Sequence, residues 1–387
     1  MVAKGLFTVL HVGKYYPPHV GGMETHLQTL CGELGKYLDV RVVVANDRRW
    51  REEAAIDGVN VTRVGTPVSF ASAPICPGLV HEIRNARADI IHIHLPNPSA
   101  VLAYLMSNNP APLVVTYHSD VIRQKVLGGL FAPLLRRMLD RCAMIIATSR
   151  NYIESSPILA GYRDRCRVIP HGIPVGQFRR YDQAAVARIR REFGPRIVIS
   201  VGRLVYYKGL DYLIRAMRSV KGNLLIVGEG PLRASLEREA EVCGVRDRVF
   251  FLGEVQDVVP YYHAADLFVL ASVARSEAFG IVQLEAMTCG KPVVNTRLAS
   301  GVPFVSLDRV TGLTVPPANQ QALAAAINAL LDDPKQRIAY GQAARRRVSE
   351  GFSAEVMASR TLELYAEVTG TTIERHRLER YQKVAGG

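Results

Sequence analysis

Short apolar runs alternate with longer amphipathic stretches along most of this chain. The first series of runs is Phe7–Val12, Val40–Ala45, Val59–Val64, Ile90–Ile93, Leu113–Tyr117, Met144–Thr148 and Arg167–Ile169. A second series follows at Ile197–Val201, Leu224–Val227, Val249–Leu252, Leu267–Leu270 and Val293–Asn295. These runs are too short for helices and rich in β-branched residues, which reads as buried strands. Between them, stretches such as Glu24–Leu38 and Leu130–Arg141 carry helical spacing. Strands that alternate with helices predict parallel sheets covered on both faces. The alternation breaks at Pro170-His171-Gly172-Ile173-Pro174 and in the polar stretch Gln177–Arg191. The expected architecture is therefore α/β, with two doubly wound Rossmann-like domains over 1–175 and 176–353 and a basic tail at 369–387. Tandem domains of this kind turn the carboxyl ends of their strands toward a shared cleft, and ligands bind at the switch points there.

Composition narrows the class. At 387 residues the chain exceeds one ordinary core. No apolar run approaches the roughly 18 residues that span a bilayer, and Leu6–Val12 reads as a first core strand rather than a signal peptide. Six scattered cysteines show no metal-binding spacing and suit reduced core thiols, so the expected location is the cytoplasm. A net charge of +13 favours acidic partners, among them a polyphosphate ligand or anionic lipid headgroups. Nucleic acid is disfavoured, because no zinc-finger spacing or RNP aromatic motif is present. Val126–Arg137, apolar with basic flanks, suits either membrane-surface contact or a packed helix.

Four constellations carry chemistry. In Ser276-Glu277-Ala278-Phe279-Gly280-Ile281-Val282-Gln283-Leu284-Glu285, a carboxylate follows the strand Leu267–Leu270. A second carboxylate is expected about two turns into the next helix. The N–H groups of Phe279, Gly280 and Ile281 at that helix's start suit a phosphate, and the carboxylates suit sugar hydroxyls; a solvated loop Glu and a helix-face Glu are the plainer alternative. After Ile197–Val201, Gly202-Arg203 and Lys208-Gly209 deliver a guanidinium and an ammonium that suit a diphosphate. Gly21-Gly22 frees backbone N–H groups where the first helix begins. His118, at the end of Leu113–Tyr117, can bond a sugar hydroxyl or satisfy loop carbonyls. His171 sits at the boundary. Val227-Gly228-Glu229-Gly230-Pro231 is a weak dinucleotide signature, since Arg233 stands where a third glycine belongs. No P-loop and no Asp-x-Asp occur, which disfavours NTPase chemistry and a metal-carried nucleotide sugar.

Taken in order, the Gly-Gly turn, the strand-end His, the Gly-Arg-x-x-x-x-Lys-Gly loop and the Glu-x7-Glu motif resemble the retaining GT-B glycosyltransferases of family 4. The resemblance runs to about Val368. Thr116-Tyr117-His118-Ser119-Asp120 with Gln124-Lys125, Tyr206-Tyr207-Lys208-Gly209-Leu210 and Arg275-Ser276-Glu277-Ala278-Phe279-Gly280-Ile281 are similar to bacterial O-antigen mannosyltransferases. The resemblance implies an acceptor-side first domain, a donor-binding second domain and a last helix, 354–368, that packs back on the first. By position it implies that Arg203 and Lys208 hold a diphosphate and that Glu277 contacts the transferred sugar. Phe279, Gly280 and Ile281 would contact sugar and phosphate, and Glu285 the ribose. Gly21 and Gly22 would approach the diphosphate, and His118 would face the sugar. His171 departs from the family pattern.

The implied reaction is metal-independent hexosyl transfer with no cofactor, from a nucleotide sugar to a glycan or polyprenyl-diphosphate-linked acceptor in cell-surface polysaccharide synthesis. Arg203 and Lys208 would stabilise the charge that grows on the leaving diphosphate. The acceptor would attack the face that the diphosphate leaves, with the phosphate as base. The narrower resemblance points to mannose from GDP-mannose, while the basic charge and Val126–Arg137 leave open, beside the cytoplasm, a peripheral position on the inner face of the membrane. The rival readings are a GT-B enzyme acting on a UDP-sugar, an epimerase or phosphorylase of that fold, and a non-catalytic nucleotide-sugar-binding protein at a membrane surface.

Overall fold

The structure, a computed structural model, describes residues 7–19, 21–70, 73–120 and 125–371. Gln124 and the tail from residue 372, expected to be basic and weakly structured, lie outside the described residues. The chain divides into two compact units. One gathers the described residues of Met1–Thr148, Ser156–Gly172 and Ala354–Gly387, and the other Ser149–Ser155 and Ile173–Ser353.

The first unit holds β1 (Thr8–Val12), β2 (Asp39–Ala45), β3 (Glu52–Ile56), β4 (Val59–Val64), a small hairpin of β5 (Val68–Phe70) and β6 (Ala73–Ile75), β7 (Ile90–Leu95), β8 (Leu113–Tyr117), β9 (Met144–Ala147) and β10 (Cys166–Val168). Its main sheet has the order β10-β9-β8-β7-β1-β2-β4-β3, parallel except for β3. Chain order reverses between β1 and β7, the switch point of this sheet. The apolar alternation does not predict β3, because it is an edge strand with mostly exposed side chains. Its turn is nevertheless written in Asp57-Gly58, both at positive φ (51° and 78°), the dipeptide of a tight two-residue hairpin. One sheet face is covered by the helices Gly22–Leu34 and Ala354–Thr369. Leu27, Leu30 and Leu34 from the first, and Met357, Leu362 and Tyr365 from the second, pack with Val9, Ile90, Val114 and Ile146. Each buried aliphatic side chain contributes roughly 1.5–3 kcal/mol.

The second unit is a wholly parallel sheet of β11 (Ile197–Val201), β12 (Asn223–Val227), β13 (Val249–Gly253), β14 (Leu267–Leu270), β15 (Val293–Thr296) and β16 (Gly312–Val315), ordered β13-β12-β11-β14-β15-β16. Cores on both faces explain why its strands read as continuous apolar runs. β16 escapes the sequence pattern because it opens on Gly312, where a Cβ would run into the Val293 backbone. The switch point falls between β11 and β14, so the loops after these two strands flank the crevice where such sheets bind ligands.

Candidate active site

In the second unit the two loops at the switch point are bonded together. Val273 N–H donates to Tyr207 O at 2.8 Å. Gly209 has φ 62°, and a Cβ there would strike the Ala271 carbonyl, so only glycine lets the loops approach this closely. Their side chains then meet. Lys208 Nζ lies 2.6 Å from Glu277 Oε2, and the Ser272 hydroxyl donates to the same oxygen at 3.0 Å. Glu277 is 7% exposed. Burial opposes the charge on Lys208, but the attraction and hydrogen bond of Glu277 outweigh it and hold the ammonium above its ordinary range. Arg203 is exposed and has no side-chain partner among the described residues. One cation is therefore locked to a carboxylate and the other is open to an anion. From the sequence alone, Lys208 belongs to the diphosphate and Glu277 to the sugar; in the structure they form one ion pair.

Glu285 sits about one turn into the helix Ile281–Thr288 rather than two, and Gly280, at φ 75°, is the cap that precedes it. Burial raises the pKa of its carboxyl, while the Tyr262 hydroxyl, donating to Oε2 at 2.7 Å, and the charge of Lys208 oppose that rise. Phe279 faces the core at 3% exposure, so its ring does not line the site, and its carbonyl accepts from Gln283 Nε2 at 3.2 Å. Gly228 and Gly230 do not cradle a cofactor. A Cβ at either would collide with the backbone of Gly202 or Leu204, and Arg233 is tied to Glu229 and Glu237. These glycines let the second loop pack on the Arg203 loop.

In the first unit, His118 follows β8, is buried, and bonds through its N–H to Leu95 O at 3.0 Å. Gly21 caps the helix that starts at Gly22, and the carboxylate of Glu24 in the first turn stands against Gly21. A carboxylate of the chain itself thus occupies the helix start expected to meet a phosphate.

His118 also has company that the sequence reading missed. His11 on β1, His92 and His94 on β7, and His26 on the first helix are buried around it, as is His171. His171 Nδ1 lies 2.7 Å from His26 Nδ1, which places the boundary histidine in this cluster. Burial pushes all six imidazoles below their ordinary range, His11 and His26 to about 3, so each is neutral at pH 7. The available signal was His-x-His inside an otherwise apolar strand, since polar residues at inward positions of a buried strand need partners. Ring nitrogens of His11, His92 and His94, and of His26, His94 and His118, fall within 4.8 Å of one another.

Elsewhere in this unit a groove of about 650 Å³, lined by Arg41, Arg51, Glu53 and His81 among others, contains none of the expected site residues. Val126–Arg137 lies in the helix Lys125–Arg141, whose Leu135, Met138 and Leu139 are buried. Among the described residues no helix is long and apolar enough to cross a membrane.

Both units match known families: residues 20–177 fit the model of Glycosyltransferase Family 4, and residues 184–347 that of Glycosyl transferases group 1. The D-rhamnosyltransferase WbpZ of Pseudomonas aeruginosa is 34% identical over 352 residues, 89% of this chain and 92% of that protein. The O-antigen chain mannosyltransferase C of Escherichia coli is 34% identical over 365 residues, 92% of this chain and 97% of that protein. Among solved structures, the Anabaena protein Alr3699/HepE, crystallised with UDP, superposes with a TM-score of 0.76 at 21% identity, covering 93% of this chain and 100% of that one. Its likeness concerns the fold. Identity near one third across almost the whole length, on two Rossmann-like units, makes this chain a glycosyltransferase of family 4 with the GT-B fold.

Proposed function

We propose that the chain transfers a hexosyl unit, mannose from GDP-mannose, to a glycan or polyprenyl-diphosphate-linked acceptor with retention of configuration. The observation that carries this reading is the Lys208–Glu277 pair beside the open guanidinium of Arg203. All three belong to the loops that follow β11 and β14. A departing diphosphate gains negative charge as an oxocarbenium-like sugar forms, and Arg203, Lys208 and the helix start at Ile281 answer that charge. Glu277, whose second oxygen is not used by Lys208 or Ser272, accepts from a sugar hydroxyl. Glu285, steadied by Tyr262, accepts from the ribose. In the family reading Glu277 stands against the sugar's hydroxyls rather than beneath the anomeric carbon, which makes it a holder of the sugar and not a nucleophile. The base in this account is the leaving phosphate, on the face where the acceptor attacks.

In this reading the first unit is the acceptor-side domain, with Gly21 and Gly22 approaching the diphosphate and His118 facing the sugar. No metal or cofactor enters the proposal, and the +13 charge supports, as part of this reading, contact with an anionic membrane at the inner face. The mannosyl choice leans on the E. coli relative and on the motifs around His118 and Glu277. Purified protein incubated with labelled GDP-mannose, UDP-glucose and other nucleotide sugars tests it. Transfer from GDP-mannose to a lipid-linked glycan supports the proposal. Transfer from a UDP-sugar alone would replace the donor, and donor binding without transfer to any acceptor would favour a binding protein.

A further inference from the structure

Beneath His118 lies a continuous series of buried polar side chains. Thr116 Oγ1 is 2.7 Å from His92 Nε2, and His92 Nδ1 is 2.5 Å from the Tyr365 hydroxyl. That hydroxyl is 3.3 Å from His11 Nε2, and His11 Nδ1 is 3.1 Å from His94 Nε2. His94 Nδ1 is 3.2 Å from His118 Nε2, and the series ends there, with His118 Nδ1 buried and without a partner. The register explains how the series forms. His11 stands opposite His92 on adjacent strands, and His94 opposite Thr116. Side chains two residues apart share a face, so these strands present one polar row at the carboxyl end of an apolar core. Tyr365, on the last helix, fills the gap between His92 and His11.

A neutral imidazole has one donor nitrogen and one acceptor nitrogen. In an unbroken series of neutral imidazoles, a proton fixed at one end therefore fixes every tautomer along it. Two senses exist. If His118 Nε2–H donates inward, each bond reverses until His92 donates to Thr116, whose own O–H is left buried with no acceptor. If Thr116 O–H donates to His92, then His92 donates to Tyr365, Tyr365 to His11, His11 to His94 and His94 to His118 Nε2. The one unmatched donor is then His118 Nδ1–H, at the strand-end terminus of the series. A buried donor without a partner costs about 1–3 kcal/mol. Only the second sense places the unmatched donor on His118, the residue at the carboxyl end of β8, rather than on Thr116 within the strand.

We infer that Tyr365 is a positioning residue for His118: with Thr116, His92, His11 and His94 it holds His118 as the Nδ1–H tautomer, a donor to a sugar hydroxyl or phosphate oxygen. The inference rests on the transferase reading for the ligand's identity but not for the tautomer. It also gives the last helix a task beyond packing, since its hydroxyl closes the circuit between two strands.

The test is ¹⁵N NMR of the full chain labelled at its histidine rings, with the His118 signals identified by their loss in His118→Gln. Protonation at Nδ1 is expected in the wild type. Tyr365→Phe breaks the series in the middle and Thr116→Val removes its starting donor, so both should admit the Nε2–H form. Thr116→Ser, which keeps the hydroxyl, should restore Nδ1–H. In transfer assays Tyr365→Phe should lower kcat roughly tenfold with little change in KM, and the loss should vanish in the His118→Gln background. Three results would overturn the inference: His118 protonated at Nε2 in the wild type, a tautomer unmoved in both Tyr365→Phe and Thr116→Val, or an equimolar transition metal in the purified protein, which would make these histidines ligands. An Nδ1–H tautomer that responds to Tyr365 in a protein that transfers no sugar would support the inference and sink the transferase reading instead.

Discussion

Lys208 and Glu277 carry opposite charges in a nearly dry place, and that fixes what each substitution does. Breaking a buried pair from one side leaves an uncompensated charge, which costs about 3–5 kcal/mol. Glu277→Gln leaves the Lys208 ammonium without its partner but keeps an acceptor for Ser272, so the unit should fold with a lowered melting temperature while transfer collapses; melting curves and rate measurements separate the two effects. Tyr262→Phe leaves the buried carboxyl of Glu285 short of a donor. A hydrogen bond to a charged group is worth roughly 1.5–3 kcal/mol. The variant should therefore melt earlier and bind the nucleotide more weakly, both readable by thermal shift with and without ligand. The placement of Arg203, Lys208, Glu277 and His118 after strands was legible, because the apolar pattern reveals those strands. Their pairing was not, because the contact of Lys208 with Glu277 depends on β11 lying beside β14, and sheet order is not written in any one segment.

At the level of elements, the strands expected from apolar runs all form. The ones not foreseen, β3, β5, β6 and β16, are short or lie at sheet edges, where apolar patterning weakens. The histidine row marks the opposite failure, with polar residues inside strands whose neighbours looked like ordinary core. Its cost appears in acid. A histidine held neutral by burial has a folded pKa below its unfolded value of 6.5, so below that value the unfolded chain binds more protons. Its contribution to stability is complete above about pH 6.5 and is lost as pH falls toward about 3, the folded value for His11 and His26. Each such group changes stability by up to about 1.4 kcal/mol per pH unit in that window. Thermal melts from pH 7.5 to 5 should show the transition of the histidine-bearing unit falling, and His26→Asn should flatten the slope. A transition independent of pH across that range would contradict the neutral assignment. The loops at the second switch point carry their own requirement: Gly209→Ala should separate them and depress activity well beyond its effect on melting temperature, because the Ala271 carbonyl has nowhere to go.

For the whole molecule, two Rossmann-like units on one chain were evident from the alternation of runs and from its break near Pro170. The assignment of the segments was only partly so. Ser149–Ser155 groups with the second unit and Ala354–Thr369 with the first, and these returns of the chain depend on packing that no local pattern encodes. Family membership follows from identity spread over both units, whereas the donor depends on a few side chains around a nucleobase and a sugar. A ligand that binds only the folded state raises stability with its concentration. Among nucleotide sugars, GDP-mannose should therefore give the largest thermal shift, and Arg203→Ala should reduce it.

The central claim is that this chain moves a sugar by stabilising a departing diphosphate with the cations after β11. The most direct measurement is the rate of labelled mannose transfer from GDP-mannose to a lipid-linked glycan acceptor by the wild type and by Lys208→Ala, with the fold of each checked by melting. The account predicts measurable transfer by the wild type and a loss on the order of 10²–10³-fold in the folded variant. A folded Lys208→Ala protein that turns over at nearly the wild-type rate would contradict it.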